Sequence, residues 1–367
     1  MKNLSLYIHI PFCSAKCPYC DFYSVKYNEE KVFIYTEKLC ERLVALSSKY
    51  NRTVNTVYFG GGTPSVIGTE NIVKILKVIN NNFNLINPEI TLEANPVSAL
   101  TLDFIKLKKY GVNRVSMGMQ SVNFTELDLL GRKHTLTDIT SSIEKIRLSG
   151  IDNISLDVMV GVANQTISSL QNTLDFCISL NVSHISSYIL KIEENTVYNK
   201  IKDTLNLPDE DSVCDLYLFM SKYLISKGYN QYEISNFSKI GYESKHNLKY
   251  WNCDEYLGVG PSAHSFVDGM RFYYPRNING FYNNEIISDG SGGDVEEYVM
   301  MRLRLSNGLS FDDFKCRYGY DFPKIYINNA NKPKFSSYVC VTDEKINLTV
   351  DGFLMSNYII SSILFDD

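Results

Sequence analysis

The feature that most limits how this chain can fold is an alternation of short β-rich runs with longer helical patterns across its first two thirds. Strands are expected at Leu4 to Ile10, Val54 to Phe59, Glu89 to Glu93, Arg114 to Met117, Ile154 to Val160 and His184 to Leu190. Helical periodicity fills the gaps, at Glu29 to Lys49, Thr69 to Asn81, Ser98 to Tyr110, Leu136 to Ser149 and Ser168 to Leu180. Strand, helix, strand repeated in this way requires right-handed crossovers and a parallel sheet. Six such units leave a doubly wound sheet or a barrel, complete or partly open.

Five of the strands run into polar or glycine-rich segments that packing alone does not call for. These are Cys13-Ser-Ala-Lys-Cys17-Pro-Tyr-Cys20, Gly60-Gly-Gly-Thr-Pro64, Glu93-Ala-Asn-Pro96, Gln120-Ser121, and Asp157 near the end of the fifth strand. Loops at the carboxyl ends of parallel strands build the site in β/α folds. One such segment reads as a turn or a helix cap. Five on one rim read as a site.

The alternation stops near Tyr229. A loop-rich stretch follows, then Ser288-Asp-Gly-Ser-Gly-Gly-Asp294, which reads as a linker. Beyond it, helices at Glu296 to Leu305 and Phe311 to Tyr318, a β-like pair at Tyr338 to Val341 and Ile346 to Thr349, and a closing helix suggest a small α+β unit. The expected division is 1–228, 229–290 and 291–367.

Composition narrows the class of function. The 367 residues carry 36 Lys+Arg against 41 Asp+Glu, a net charge of −5, with no basic stripe, so phosphate-driven nucleic-acid binding is not expected. Nine cysteines are too sparse for a disulfide scaffold, and no signal peptide is visible at the N-terminus. The longest uncharged run, Gly352 to Phe365, falls short of the ~18 apolar residues a membrane span needs. A cytoplasmic chain with reduced or metal-bound thiols is expected.

Cys13, Cys17 and Cys20 are spaced C-x3-C-x2-C behind the first strand. Three thiolates on one loop can hold an iron–sulfur cluster and leave one iron open to an external ligand. Zinc completed by His9 is a competing reading, although zinc sites more often pair C-x2-C units from two segments. A structural accident is the third. Cys40, Cys177, Cys214, Cys316 and Cys340 read as ordinary semi-buried thiols.

The segment Tyr7-Ile-His-Ile-Pro-Phe-Cys13 through Cys20-Asp-Phe22 resembles the cluster-binding signature of the radical S-adenosylmethionine (SAM) superfamily. Within it the chain resembles the branch shared by oxygen-independent coproporphyrinogen III oxidase and the HemW-type haem chaperones. The resemblance runs almost end to end. It includes Gly60 to Ser65, Glu93 to Pro96, Arg114 to Ser121, Gly131-Arg-Lys-His134, Ile154 to Asp157, Glu193 to Thr196, Tyr232 to Asn236, His246-Asn-Leu-Lys-Tyr-Trp251 and Gly258 to His264.

The resemblance implies a partial (β/α)6 barrel with a winged-helix-like C-terminal domain. It also implies a [4Fe-4S] cluster on Cys13, Cys17 and Cys20, with S-adenosylmethionine on the open iron. The Gly60 to Gly62 turn would allow close backbone approach and offer N–H donors to the methionine part of that ligand, with Gly61, Gly62 and Thr63 among the binding residues. Glu93, Gln120, Arg132 and Asp157 would line the ligand site, with Tyr7 and Tyr19 packing nearby. A buried carboxylate and an arginine would equally make a structural ion pair.

Two departures separate oxidase from chaperone. The oxidase signature carries a fourth cysteine where this chain has Phe22, and a longer arm precedes its first strand. HemW-type chains carry H-N-x-x-Y-W, present here from His246, which the resemblance makes a haem ligand. The adjacent Tyr250 and Trp251 would offer flat faces to a porphyrin. Cys253 is an alternative soft ligand, and His264 and His134 are read as supporting groups. Ala163 stands where relatives show proline, which predicts a looser turn. The implied function is to bind haem and pass it to acceptor haemoproteins. Coproporphyrinogen III decarboxylation is the runner-up and a zinc-stabilised binding protein the third reading. Peripheral membrane contact and homodimer formation are left open.

Overall fold

Along the first strand, Leu4, Leu6, Ile8 and Ile10 alternate with Ser5, Tyr7 and His9. Successive strand residues face opposite sides, so one face of the sheet is apolar and the other polar. The computed structural model, which describes residues 3–365, shows this pattern repeated from strand to strand. The domain ends expected at positions 1 and 367 lie outside the described residues.

Six parallel strands follow in chain order: β1 (Leu4–Ile10), β2 (Thr53–Gly61), β3 (Asn84–Ala94), β4 (Arg114–Gln120), β5 (Asn153–Val160) and β6 (His184–Ile189). The apolar face of this sheet packs on the crossover helices. In α1 (Glu29–Lys49), Val32, Tyr35, Leu39, Leu43 and Leu46 recur at helical spacing and are buried. Each such side chain contributes roughly 1.5–3 kcal/mol of burial. Asn28 caps this helix by accepting from the Lys31 N–H at 2.9 Å.

Beyond β6 come β7 (Asn230–Gln231), β8 (Asn236–Ser238), β9 (Tyr256–Val259), β10 (His264–Val267), β11 (Met270–Tyr273) and β12 (Ile287–Ser291). The sheet order is β12-β11-β10-β9-β1-β2-β3-β4-β5-β6-β8-β7, and among the described residues its two end strands do not pair with each other, so the barrel is open. β9 lies parallel to β1, which places the segment after the H-N-x-x-Y-W motif beside the first strand. The C-terminal part has its own antiparallel sheet of β13 (Leu309–Ser310), β15 (Lys345–Leu348) and β14 (Val339–Val341), in that order. Helices Val295–Arg302, Phe311–Tyr318, Lys324–Ala330 and Ser356–Phe365 accompany it, giving the expected small α+β unit. Among the described residues, no helix is long and apolar enough to cross a membrane.

Four local expectations are corrected. Ser288 to Asp294 is not a linker, because Ile287–Ser291 is an edge strand paired to β11 through backbone hydrogen bonds that require no apolar side chains. The helix expected from Ser98 to Tyr110 is broken into Pro96–Ala99 and Phe104–Lys109, since Asp103 caps the Lys106 N–H and restarts it. The closing helix divides at Met355. The turn at Ala163 is not loose: Ala163 is buried, and Gln165 accepts from the Gly161 N–H at 2.7 Å and donates to the Met159 carbonyl at 3.0 Å.

Candidate functional site

The thiol loop leaves the carboxyl end of β1 and is tied at both its ends. Phe12–Cys13 pairs with Val25–Lys26 as a short parallel ribbon, and the Cys20 N–H donates to the Cys17 carbonyl at 3.2 Å. Cys13, Cys17 and Cys20 are free thiols, each partly exposed. Burial raises the pKa of Cys20, and the nearby Cys17 and Cys13 act in the same direction. Cys13 Sγ lies 3.5 Å from Thr63 Oγ1. Among the described residues, no group of three or more His, Cys, Asp or Glu side chains stands in metal-holding geometry. The loop therefore supplies soft donors within electrostatic reach of one another, a set whose chemistry suits an iron–sulfur cluster, without presetting their positions.

His9 does not complete a zinc site. Its Nε2 is 3.1 Å from the Tyr23 carbonyl and its Nδ1 3.2 Å from the Tyr7 hydroxyl, so both ring nitrogens are engaged. Burial lowers its pKa to about 4, which keeps the ring neutral.

The glycine run is required by close packing against β1. A Cβ on Gly61, at φ 110°, would stand 2.6 Å from the His9 ring, and one on Gly62 2.7 Å from the Phe12 carbonyl oxygen. The expectation that this turn offers N–H donors to a ligand is corrected. The Gly62 N–H donates to the Ile10 carbonyl and the Thr63 N–H to the Phe12 carbonyl, both at 2.8 Å. The Gly61 backbone lies close enough to the Glu93 carboxylate to favour its charged form. The Gly62 and Thr63 donors brace the site instead of facing outward.

The polar face of the sheet gathers the remaining residues. Glu93 accepts from the Tyr58 hydroxyl at 2.7 Å, and burial, reinforced by Asp157, raises its pKa to about 7. Asp157 accepts from Ser116 Oγ at 3.1 Å, and burial holds its pKa above the usual carboxylate value. Arg132 donates through Nη2 to the Tyr19 hydroxyl at 2.6 Å, linking the thiol loop to the segment after β4. Burial opposes its charge, and Tyr19, followed by Cys17 and Asp157, favours it. Gln120, buried, takes the left-handed backbone value φ 73°, strained for a residue with a side chain. A Cβ at Gly118 would lie 3.0 Å from Gln120 Nε2 and 3.7 Å from Arg132 Nη2, so the missing side chain leaves room where both converge.

A cavity of about 230 Å³ is lined by Tyr7, Tyr58, Gly61, Glu93, Tyr188, His246, Asn247 and Tyr250, with Phe22 at its wall. A second, of about 290 Å³, shares Tyr7, Phe22 and Tyr250 and adds His9, Asp21, Tyr23, Tyr256, Ser262, His264 and Arg276. The two adjoin along those shared rings.

His246 is 1% exposed, on helix Lys245–Trp251. Its Nδ1 is 2.8 Å from Thr56 Oγ1 and its Nε2 2.9 Å from the Tyr250 hydroxyl, and its ring stacks on Tyr58 with centroids 5.0 Å apart. The Glu89 carboxylate accepts from the His246 backbone N–H at 3.1 Å. Burial lowers the imidazole pKa to about 3. In this arrangement no nitrogen of His246 is free for a metal. Cys253 lines neither cavity; it is buried with Sγ 3.9 Å from the Glu297 carbonyl. His134 is buried and its Nε2 lies 3.1 Å from the Met119 carbonyl.

Tyr58 and Tyr188 belong to none of the motifs above, although the sequence carries a signal for them. Polar or aromatic residues at every second position, such as Thr56-Tyr58 and Ser186-Tyr188, mark the inward face of strands otherwise rich in apolar residues.

The sequence model described as "Radical SAM superfamily" matches residues 7–177. The chain is 32% identical to "Heme chaperone HemW" of Lactococcus lactis subsp. lactis over 100% of its own length and 98% of the relative's. It is 33% identical to the Bacillus subtilis protein of the same name, over 98% and 99%. Its fold matches the solved structure of coproporphyrinogen III oxidase, HemN, of Escherichia coli with a TM-score of 0.84 at 21% identity, covering 99% of this chain and 90% of that one. Likeness of this extent, with the radical SAM signature on the loop described above, places the chain in the HemW family of the radical SAM superfamily.

Proposed function

We propose that the chain is a cytoplasmic haem chaperone: it binds haem in the aromatic cleft beside the thiol loop and passes it to an acceptor haemoprotein. The observation that carries this reading is Phe22. Where the oxidase signature has a further cysteine, this chain has a phenylalanine that is 70% exposed and forms part of both cavity walls. A flat apolar ring at that position suits a porphyrin face.

Cys13, Cys17 and Cys20 would hold a [4Fe-4S] cluster, which when bound supplies an electron source and an open iron for the amino and carboxylate groups of S-adenosylmethionine. Glu93 and Asp157 suit the cationic parts of that ligand and Arg132 its carboxylate. Gly61, Gly62 and Thr63 would shape the turn beside it, with Gln120 bounding the site and Tyr7 and Tyr19 packing around it. His246 enters as a haem ligand only once Tyr250 has left its Nε2.

Titration of the reconstituted protein with haem tests the reading. The expected result is a saturable Soret band that moves to apomyoglobin when this is added as acceptor; a spectrum identical to free haem overturns it. His246→Ala is expected to weaken the equilibrium complex at least ~10-fold, equivalent to ~1.4 kcal/mol. An unchanged affinity removes His246 as a ligand. Anaerobic incubation with coproporphyrinogen III is expected to give no vinyl-bearing product.

A further inference from the structure

The chain has five histidines, and the structure separates one from the rest. His9 and His246 have both ring nitrogens hydrogen-bonded. His184 is buried between Ser155 Oγ at 2.7 Å and the Tyr232 hydroxyl at 2.8 Å. His134 is buried on a backbone carbonyl. His264 alone is exposed, and among the described residues its side chain makes no hydrogen bond. An imidazole whose nitrogens are unspent and reachable can bind iron without first breaking anything in the protein.

Its setting is also that of a ligand site. His264 opens strand β10, and its ring stacks on Tyr273 opposite, with centroids 4.7 Å apart and planes 19° from parallel, which restricts its orientation. It lines the outer, 290 Å³ part of the cleft with Phe22, Tyr23 and Tyr250. Arg276, on the same wall, is held against Asp21, its Nη2 donating to the Asp21 backbone carbonyl at 2.5 Å and both Nη groups reaching the carboxylate at 3.4 Å. Its Nε–H has no partner among the described residues, so an oriented cation with a donor to spare faces this part of the cleft. Aromatic walls, an open imidazole and a half-exposed guanidinium match the three chemical parts of haem: the flat macrocycle, the iron and the propionates.

We propose that His264 is the ligand on which haem first docks, in the outer cleft, before it reaches His246 behind the Tyr250 hydroxyl. The proposal rests on the haem-chaperone reading and adds an order of events to it. An iron arriving from solvent meets a free nitrogen at His264, whereas at His246 it meets an imidazole already hydrogen-bonded on both sides. Coordination forms one Fe–N bond and displaces a solvent ligand from the iron; no electron is transferred.

Stopped-flow mixing of the full chain, cluster reconstituted, with ferric haem distinguishes the two stages. The wild type is expected to show a fast Soret change and a slower second one. His264→Ala is expected to slow or weaken the fast phase at least ~10-fold, about 1.4 kcal/mol. His264→Met is expected to restore docking with a shifted band and a raised haem reduction potential, which loss of a merely structural residue would not produce. His246→Ala is expected to keep the fast phase and lose the slow one. A wild-type fast phase in both His264 variants overturns the proposal and leaves the chaperone reading intact. Absence of any Soret change in the wild type overturns the chaperone reading itself.

Discussion

The thiol loop and the helix Lys245–Trp251 both carry signature motifs, and they are finished to different degrees. The loop presents three free, partly exposed thiols. The helix buries His246 and uses its backbone N–H and both ring nitrogens within the chain. A region whose donors are left open is completed by something it binds. A region whose donors are spent must lose an internal bond before it can bind anything, so its ligand arrives at a cost in protein–protein hydrogen bonds. The two motifs therefore represent standing capacity and conditional capacity in one cleft.

The largest effect tests the open side. Cys17→Ser is expected to abolish cluster assembly: iron and sulfide bound after anaerobic reconstitution fall to background, because two thiolates do not replace three. His246→Ala is expected to leave iron and sulfide at the wild-type level. Equal loss in both variants would mean that the helix supports the cluster and that the two regions are not independent.

Next in size is Gly61→Ala. The left-handed φ of 110° and the 2.6 Å approach to the His9 ring give two separate penalties. A loss of roughly 3 kcal/mol or more in urea unfolding is expected. Gly68→Ala is the control, since φ is 79° there but, among the described residues, nothing beyond its chain neighbours and its own helix backbone lies within 4 Å of an added Cβ. The control isolates the backbone penalty, expected near ~1 kcal/mol. Equal costs at the two sites would show that packing beneath the thiol loop is looser than described.

Glu93 stands between the two regions and supplies a pH dependence. Its pKa is raised to about 7 from 4.5, so the folded state favours the protonated form. Its stabilising contribution is full below pH 4.5 and is lost as pH rises through 7, by at most ~3 kcal/mol. Glu93→Gln is expected to be relatively more stable than wild type at pH 8 than at pH 5. Binding of a sulfonium cation runs the other way: retention of S-adenosylmethionine on equilibrium dialysis should strengthen as pH rises through 7 in the wild type and stay flat in Glu93→Gln. A flat wild-type profile would show that the carboxylate is not near the bound cation.

Much of this architecture is legible in the sequence because its causes are local. The span Leu4–Ile10 and the helix Glu29–Lys49 match expectation residue for residue, since hydrophobic periods of 2 and 3.6 are set by neighbours along the chain. The thiol loop is legible from spacing for the same reason. Asp103 breaks a helix through a local cap, but the other failures depend on distant partners. The edge strand Ile287–Ser291 has no apolar side chain beyond Ile287, and its identity comes from the backbone of β11. The Gly62 and Thr63 N–H groups look available until Ile10 and Phe12 are seen to accept from them. The state of His246 depends on Thr56 and Glu89, 190 and 157 residues away.

The smallest effect concerns that last dependence and tests the closed side most directly. Thr56→Val keeps the side-chain shape and removes the oxygen 2.8 Å from His246 Nδ1. A buried ring nitrogen left without its partner costs ~1–3 kcal/mol, measurable as a shift in the urea midpoint without a change in slope. Tyr250→Phe removes the partner of Nε2 and should cost less, roughly 0.5–1.5 kcal/mol, because that end of the ring faces the cavity, where water can replace the hydroxyl. The double variant should cost other than the sum of the two, since both hydroxyls bind one ring, one accepting from its single N–H and the other donating to its bare nitrogen. If Tyr250→Phe also speeds the slow phase of haem binding while Thr56→Val does not, the Tyr250 hydroxyl is the bond that must break and Nε2 the nitrogen released. If the two variants change that phase equally, the helix loosens as a whole and the closed side of the cleft has no single latch.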